Sequence, residues 1–227
     1  MYIASQSYIE GFYYYPRINK KLLKEHSEGL ICTSACLQGE VNWHLNTATE
    51  KKRNMGAGGY EKAKEIALEY KEIFGDDFYL EIMRHGISDQ LFIDTQVLQL
   101  ARETGIKLVA TNDTHYQKPE DADPHEAFMC IAMQTTLDDP KRLRHSVHEF
   151  YIKSPEQMAM LFADIPEALL HTQEIVDKCD LEIKLGNPVP PSYKFTADVA
   201  RAEGLTTTDD GELFVHLSRK GLDARLQ

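Results

Sequence analysis

The sequence predicts an α/β protein built on a parallel sheet. Three β-like runs, Gly29–Ser34, Phe78–Met83 and Lys107–Thr111, alternate with helical segments at Tyr60–Phe74, Ser88–Glu103 and Asp121–Gln134. Such alternation implies parallel strands joined by helical crossovers. The second observation is punctuation: glycines and turn residues stand where one pattern gives way to the next.

In chain order, the Gly29–Ser34 run is broken by Ala35-Cys36-Leu37-Gln38-Gly39. Asn54–Gly59 is glycine-rich and reads as a loop; it lacks the lysine of a phosphate-cradling motif. Tyr60, Ala63, Ala67, Tyr70 and Phe74 recur at three-to-four spacing, the period of an amphipathic helix, which Gly75-Asp76-Asp77 ends. Ser88 is placed to cap a helix with Ile93, Val97, Leu100 and Ala101 on its apolar side, and Gly105 closes it. After residue 135 the character changes. Thr136–Pro140 is a turn-rich loop and Glu149–Lys153 a short extended piece. Ser154-Pro155-Glu156 combines a capping serine with proline at the first helical position. A further helix is expected from near Pro166 to about Cys179, an extended linker over Asn187–Pro191, and a last helix over Asp209–Leu226.

The formal charge of −11 argues against this chain by itself gripping a phosphate backbone, since non-specific nucleic-acid binding rests on Lys and Arg. The basic run Lys141–Arg144 reads as a solvated loop. No apolar stretch approaches the roughly 20 residues needed to span a bilayer, and the N-terminus lacks the features of a signal peptide. Four scattered cysteines, Cys32, Cys36, Cys130 and Cys179, point to reduced thiols in the cytoplasm. Cys32-x-x-x-Cys36 lacks a second matched pair, so a closed structural zinc site is not expected there.

Val109–Tyr116 is the most informative stretch. An apolar run ends abruptly in Asn112, Asp113 and His115. Alternation puts Asp113 and His115 on the same side, where a carboxylate and an imidazole can share one metal ion. The plainer alternative is a strand-to-helix turn with Asp113 capping a helix at Pro119. Ligand sites of parallel sheets collect at the C-terminal strand ends. The three expected ends carry Cys36, Arg84 with His85, and Asp113 with His115.

Six segments together resemble the alpha-subunit family of bacterial DNA polymerase III in its polymerase-and-histidinol-phosphatase (PHP) domain. They are Tyr8–Arg17, Glu28–Glu40, Phe78–Gly86, Leu108–Tyr116, Thr136–Pro140 and Leu161–Ala168. The resemblance implies part of a distorted (β/α)7 barrel around a metal cluster. Residues 1–187 would be the C-terminal part of the PHP domain, and 188–227 a linker and the start of the polymerase core. Carried over, Asp113 and His115 resemble the family's last ligand pair and Cys36 a thiolate ligand. These donors suit zinc or manganese. His85 would stand behind the ligands or face the substrate, and Glu40 reads as a surface helix residue rather than a ligand. The family's opening His-x-His strand has no counterpart here, and its polymerase aspartates would lie beyond Gln227, so the chain reads as a fragment.

The implied parent is a Mg²⁺-dependent, DNA-templated polymerase in the cytoplasm. Its partners would be the proofreading exonuclease subunit, the sliding clamp and, through the rest of the protein, DNA. Some family members use the PHP metals for 3′–5′ exonuclease work. Two other readings stay open: a free-standing metal-dependent phosphoesterase and a metal-free interaction module.

Overall fold

A computed structural model describes residues 1–186, 188, 197–207 and 209–226. The chain divides into two compact units, Met1–Asp180 and Leu181–Gln227.

The first unit opens with α1 (Tyr2–Ile9) and α2 (Lys20–Glu25), followed by β1 (Cys32–Thr33). Next come α3 (Glu40–Leu45), α4 (Glu50–Asn54), α5 (Tyr60–Phe74) and β2 (Phe78–Met83). Then follow α6 (Ser88–Thr104), β3 (Lys107–Thr111), α7 (Ala122–Ala132), α8 (Pro155–Leu161) and α9 (Pro166–Lys178).

Among the described residues the sheet has three strands in the order β1-β2-β3, both pairings parallel. Cys32 pairs with Phe78, and Tyr79 through Met83 pair with Lys107 through Thr111. With period-two alternation, Phe78, Leu80 and Ile82 share one face. They enter the main core with Leu108 and Ala110, against Ala63, Ile66 and Ala67 of α5 and Ile93, Val97 and Leu100 of α6. Glu81 holds the opposite face: its carboxylate accepts from Thr33 Oγ1 and from Thr111 Oγ1, each at 2.6 Å, and so spans all three strands.

Two glycines end helices as anticipated. Gly75 closes α5 at φ 60° and Gly105 closes α6 at φ 63°, a region that costs a residue with a Cβ. Ser154 accepts from the Gln157 amide while the Gln157 side chain accepts from the Ser154 amide, a reciprocal cap on α8.

Several expectations need correction. β1 is two residues long rather than Gly29–Ser34. Ser88 does not cap α6; it is the helix's first residue, and Ile87 holds the cap position without a side-chain bond. Arg142 is not part of a solvated loop, for its side chain is 11% exposed and paired with Glu126 at 2.5 Å. α9 packs against β3, with His171 Nδ1 2.6 Å from the Leu108 carbonyl. Glu40 begins α3, and its carboxylate accepts from Tyr70 Oη (2.9 Å) and Lys20 Nζ (3.1 Å).

The second unit contains α10 (Ala197–Ala202) and α11 (Asp210–Leu226), with Ala200 and Leu213 buried. Asp209 is the residue before α11 rather than its first, and its Oδ1 accepts from the Gly211 and Glu212 amides at 2.7 and 3.0 Å. The Asn187–Pro191 linker lies outside the described residues apart from Pro188.

Candidate metal centre beyond the third strand

The parallel register brings the ends of all three strands to one side of the sheet. β2 ends in Met83, and the next two residues lock the neighbouring loops. The Arg84 guanidinium reaches Asp94 on α6 through Nε and Nη2, both 3.0 Å, and Asp164 through Nη1 and Nη2 at 2.5 and 2.9 Å. It also donates to the Leu161 carbonyl at 2.9 Å. These carboxylates hold the guanidinium firmly charged, and its hydrogen bonds hold Asp164 below the usual carboxylate range.

His85 is buried, 1% exposed. Its Nδ1 is 3.1 Å from Gln90 Nε2, and its Nε2 lies 3.2 Å from Asn112 Oδ1 and 3.1 Å from the Asp113 amide nitrogen. Burial, reinforced by the Lys153 charge, pushes its pKa below the ordinary histidine value. Stacked on Phe150 at 4.9 Å, it is a post behind the Asn112–His115 loop.

That loop holds the expected pair together: His115 Nε2 is 3.1 Å from Asp113 Oδ1. The turn alternative, with Asp113 capping a helix at Pro119, is not what is observed. The turn at Pro119–Asp121 is closed instead by Asp121, whose Oδ2 accepts from the Lys118 amide at 2.9 Å. The loop is fixed from outside by the Phe150 segment. The Phe150 carbonyl accepts from the His115 amide (2.8 Å) and the Tyr116 amide (3.2 Å), and Asn112 Nδ2 donates to the Tyr151 carbonyl at 2.7 Å.

Cys36, the third expected donor, comes from a different strand end. It follows β1, two strands away in the sheet order, and lines a small cavity of about 20 Å³ with Asn42, Glu81 and Gln90. Gln90 is the link between the two places, since it lines that cavity and also holds His85.

The donors that do gather around His115 are two residues not singled out from the sequence. Donor atoms of His115, His125 and His145 all lie within 4.8 Å of one another. His125 comes from α7 and His145 from the following loop, and the Arg142–Glu126 ion pair ties that loop to the helix. Phe150, 4% exposed, floors the cluster, 5.3 Å from the His115 ring and 4.3 Å from the His145 ring. Burial and the neighbouring imidazoles push His145 below the ordinary histidine pKa. Nδ1 of His125 is buried without a hydrogen-bond partner. The available signal was density: four of the nine histidines, His115, His125, His145 and His148, fall within residues 115–148. The donor set of imidazoles beside a carboxylate fits a divalent transition metal, which would act there as a Lewis acid toward water or phosphoryl oxygen.

Comparison with known proteins adds the following. Residues 1–85 match the PHP domain family. The chain is 63% identical over its whole length to the DNA polymerase III subunit alpha of Helicobacter pylori strain J99, and covers 19% of that protein. It is 60% identical over its whole length to the Campylobacter jejuni protein of the same name, covering 20% of it. Against the Thermus aquaticus protein of that name, identity is 37% over 82% of this chain and 15% of the relative. The chain thus spans about a fifth of the length of these relatives.

Proposed function

We propose that this chain belongs with the DNA polymerase III alpha subunits and serves template-directed DNA synthesis as a PHP scaffold segment. The observation that carries this reading is 63% identity sustained over the whole chain. On this reading, residues 1–187 are PHP domain and 188–227 lead into a polymerase core that uses Mg²⁺. DNA, a proofreading exonuclease subunit and a sliding clamp are partners of the whole protein in the cytoplasm. Among the described residues no helix is long and apolar enough to cross a membrane.

The charge of −11 supports a scaffold rather than a DNA-gripping role for this segment taken alone. Asp113 and His115 support a metal-bearing strand end, with zinc favoured over manganese by nitrogen-rich donors. Cys36, on the loop after β1, is the thiolate donor this reading adds. Primer extension tests the reading. The purified chain is expected to extend no primer, and to leave a labelled primer–template unshifted at micromolar protein. Extension that copurifies with the chain would overturn it. Metal-dependent hydrolysis of p-nitrophenyl phosphate that disappears in His115→Ala would instead favour the free-standing phosphoesterase.

A further inference from the structure

We infer that the aromatic loop Phe12–Tyr15, with Tyr8 of α1 beside it, is an interface through which two copies of this chain pair about a two-fold axis. The loop is preformed. At its base a Cβ on Gly11 would stand 1.9 Å from the Arg17 carbonyl oxygen, so glycine is what lets the two stems meet. The Arg17 amide donates to the Ser7 carbonyl at 3.4 Å, and the Tyr13 amide to the Tyr15 carbonyl at 3.1 Å. Tyr14, at the tip, is held at φ 60°, a left-handed conformation that costs a residue with a Cβ. Such strain persists where the surrounding structure enforces it, and it gathers at binding sites.

The side chains displayed here serve no part of the chain's own core. No residue of α1 is buried, and Tyr8, Phe12, Tyr13, Tyr14 and Tyr15 are each more than half exposed. Aromatic side chains bury about 150–250 Å² each, so at their present exposure these five offer roughly 500–800 Å². A standard interface takes about 800 Å² from each partner, so the patch suits a weak, concentration-dependent dimer. Self-complementarity identifies the occupant as a second copy. Glu10 and Arg17 line one hollow of about 330 Å³ at the loop's stem, and among the described residues neither joins an ion pair. Arg17 lies instead over the Tyr13 ring, 5.2 Å from its centroid. A two-fold axis sets Glu10 of each copy against Arg17 of the other and seats an exposed tyrosine of each loop in the other's hollow. One patch thus carries the knobs, the hollow and a free charge of each sign. The inference rests on this loop alone and stands apart from the polymerase reading.

Sedimentation velocity of the purified full chain, from low micromolar to several hundred micromolar, tests it. A monomer–dimer equilibrium is expected, with no larger species. Tyr14→Asn, which tolerates the positive φ, should weaken the dimer at least about tenfold. Glu10→Arg and Arg17→Glu should each leave the chain monomeric, because like charges then meet across the axis. Mixed in equal amounts, these two variants should pair again, since opposite charges then meet at both contacts. Phe128→Ser, in the exposed apolar face of α7, should leave the equilibrium unchanged. Circular dichroism checks that each variant folds as the parent does. A parent chain that stays monomeric at the highest concentration would overturn the interface. So would a dimer that survives Tyr14→Asn, open-ended assembly, or charge variants that fail to pair when mixed.

Discussion

Arg84 shows how one residue at a strand end organises its neighbourhood. Its guanidinium is 16% exposed and grips carboxylates from two elements, Asp94 on α6 and Asp164 in the turn between α8 and α9. It also lies over the Phe162 ring, 5.1 Å from the centroid. A planar fork can satisfy two carboxylates in two directions, and an ammonium cannot. Removing the arginine strands Asp94, whose side chain is only 18% exposed. Arg84→Ala should cost about 3 kcal/mol of stability, the lower end for breaking a buried pair, because Asp164 is half exposed. Arg84→Lys should recover less than half of that loss. Urea denaturation with a shared m-value checks both.

Among the elements, those with a period or a cap were legible in the sequence. β2 and β3 fall on the expected residues because each is an apolar run between turn signals, and α5 because its apolar spacing is sustained over 15 residues. The short helices α2, α3 and α4, of five or six residues, were not read, since so few residues carry no resolvable period. β1 was overextended because strand pairing, not local preference, ends it after Thr33. The contact of the His171 ring with the Leu108 carbonyl is tertiary, and no local pattern encodes it. The reciprocal cap of α8 gives the element-scale prediction. Ser154→Ala removes the acceptor for the Gln157 amide and should cost about 1 kcal/mol, read as a fall in the thermal midpoint. Ser154→Asp should restore most of it.

For the whole molecule, the N-terminal aromatics set the solution behaviour. Tyr8, Phe12, Tyr13, Tyr14 and Tyr15 are each between 57% and 76% exposed, a density of apolar surface that favours association. Light scattering of the purified chain should therefore show self-association that falls on dilution, and a monodisperse monomer at high concentration would count against it. The candidate site was half legible. Asp113 and His115 stood out because both follow one strand in one motif. His125 and His145 did not, because a separate helix and loop, outside the strand motif, bring them in. The central claim is that this fold gathers a metal site from the strand end, the following helix and the loop after it. Long-range ¹H–¹⁵N spectra of the imidazole nitrogens, recorded as zinc is added, test it most directly, since each of the nine histidines is reported separately. Shifts to metal-bound values at His115, His125 and His145, with the other six unmoved, are the predicted result. Unchanged spectra at His125 and His145 up to saturating zinc would contradict it.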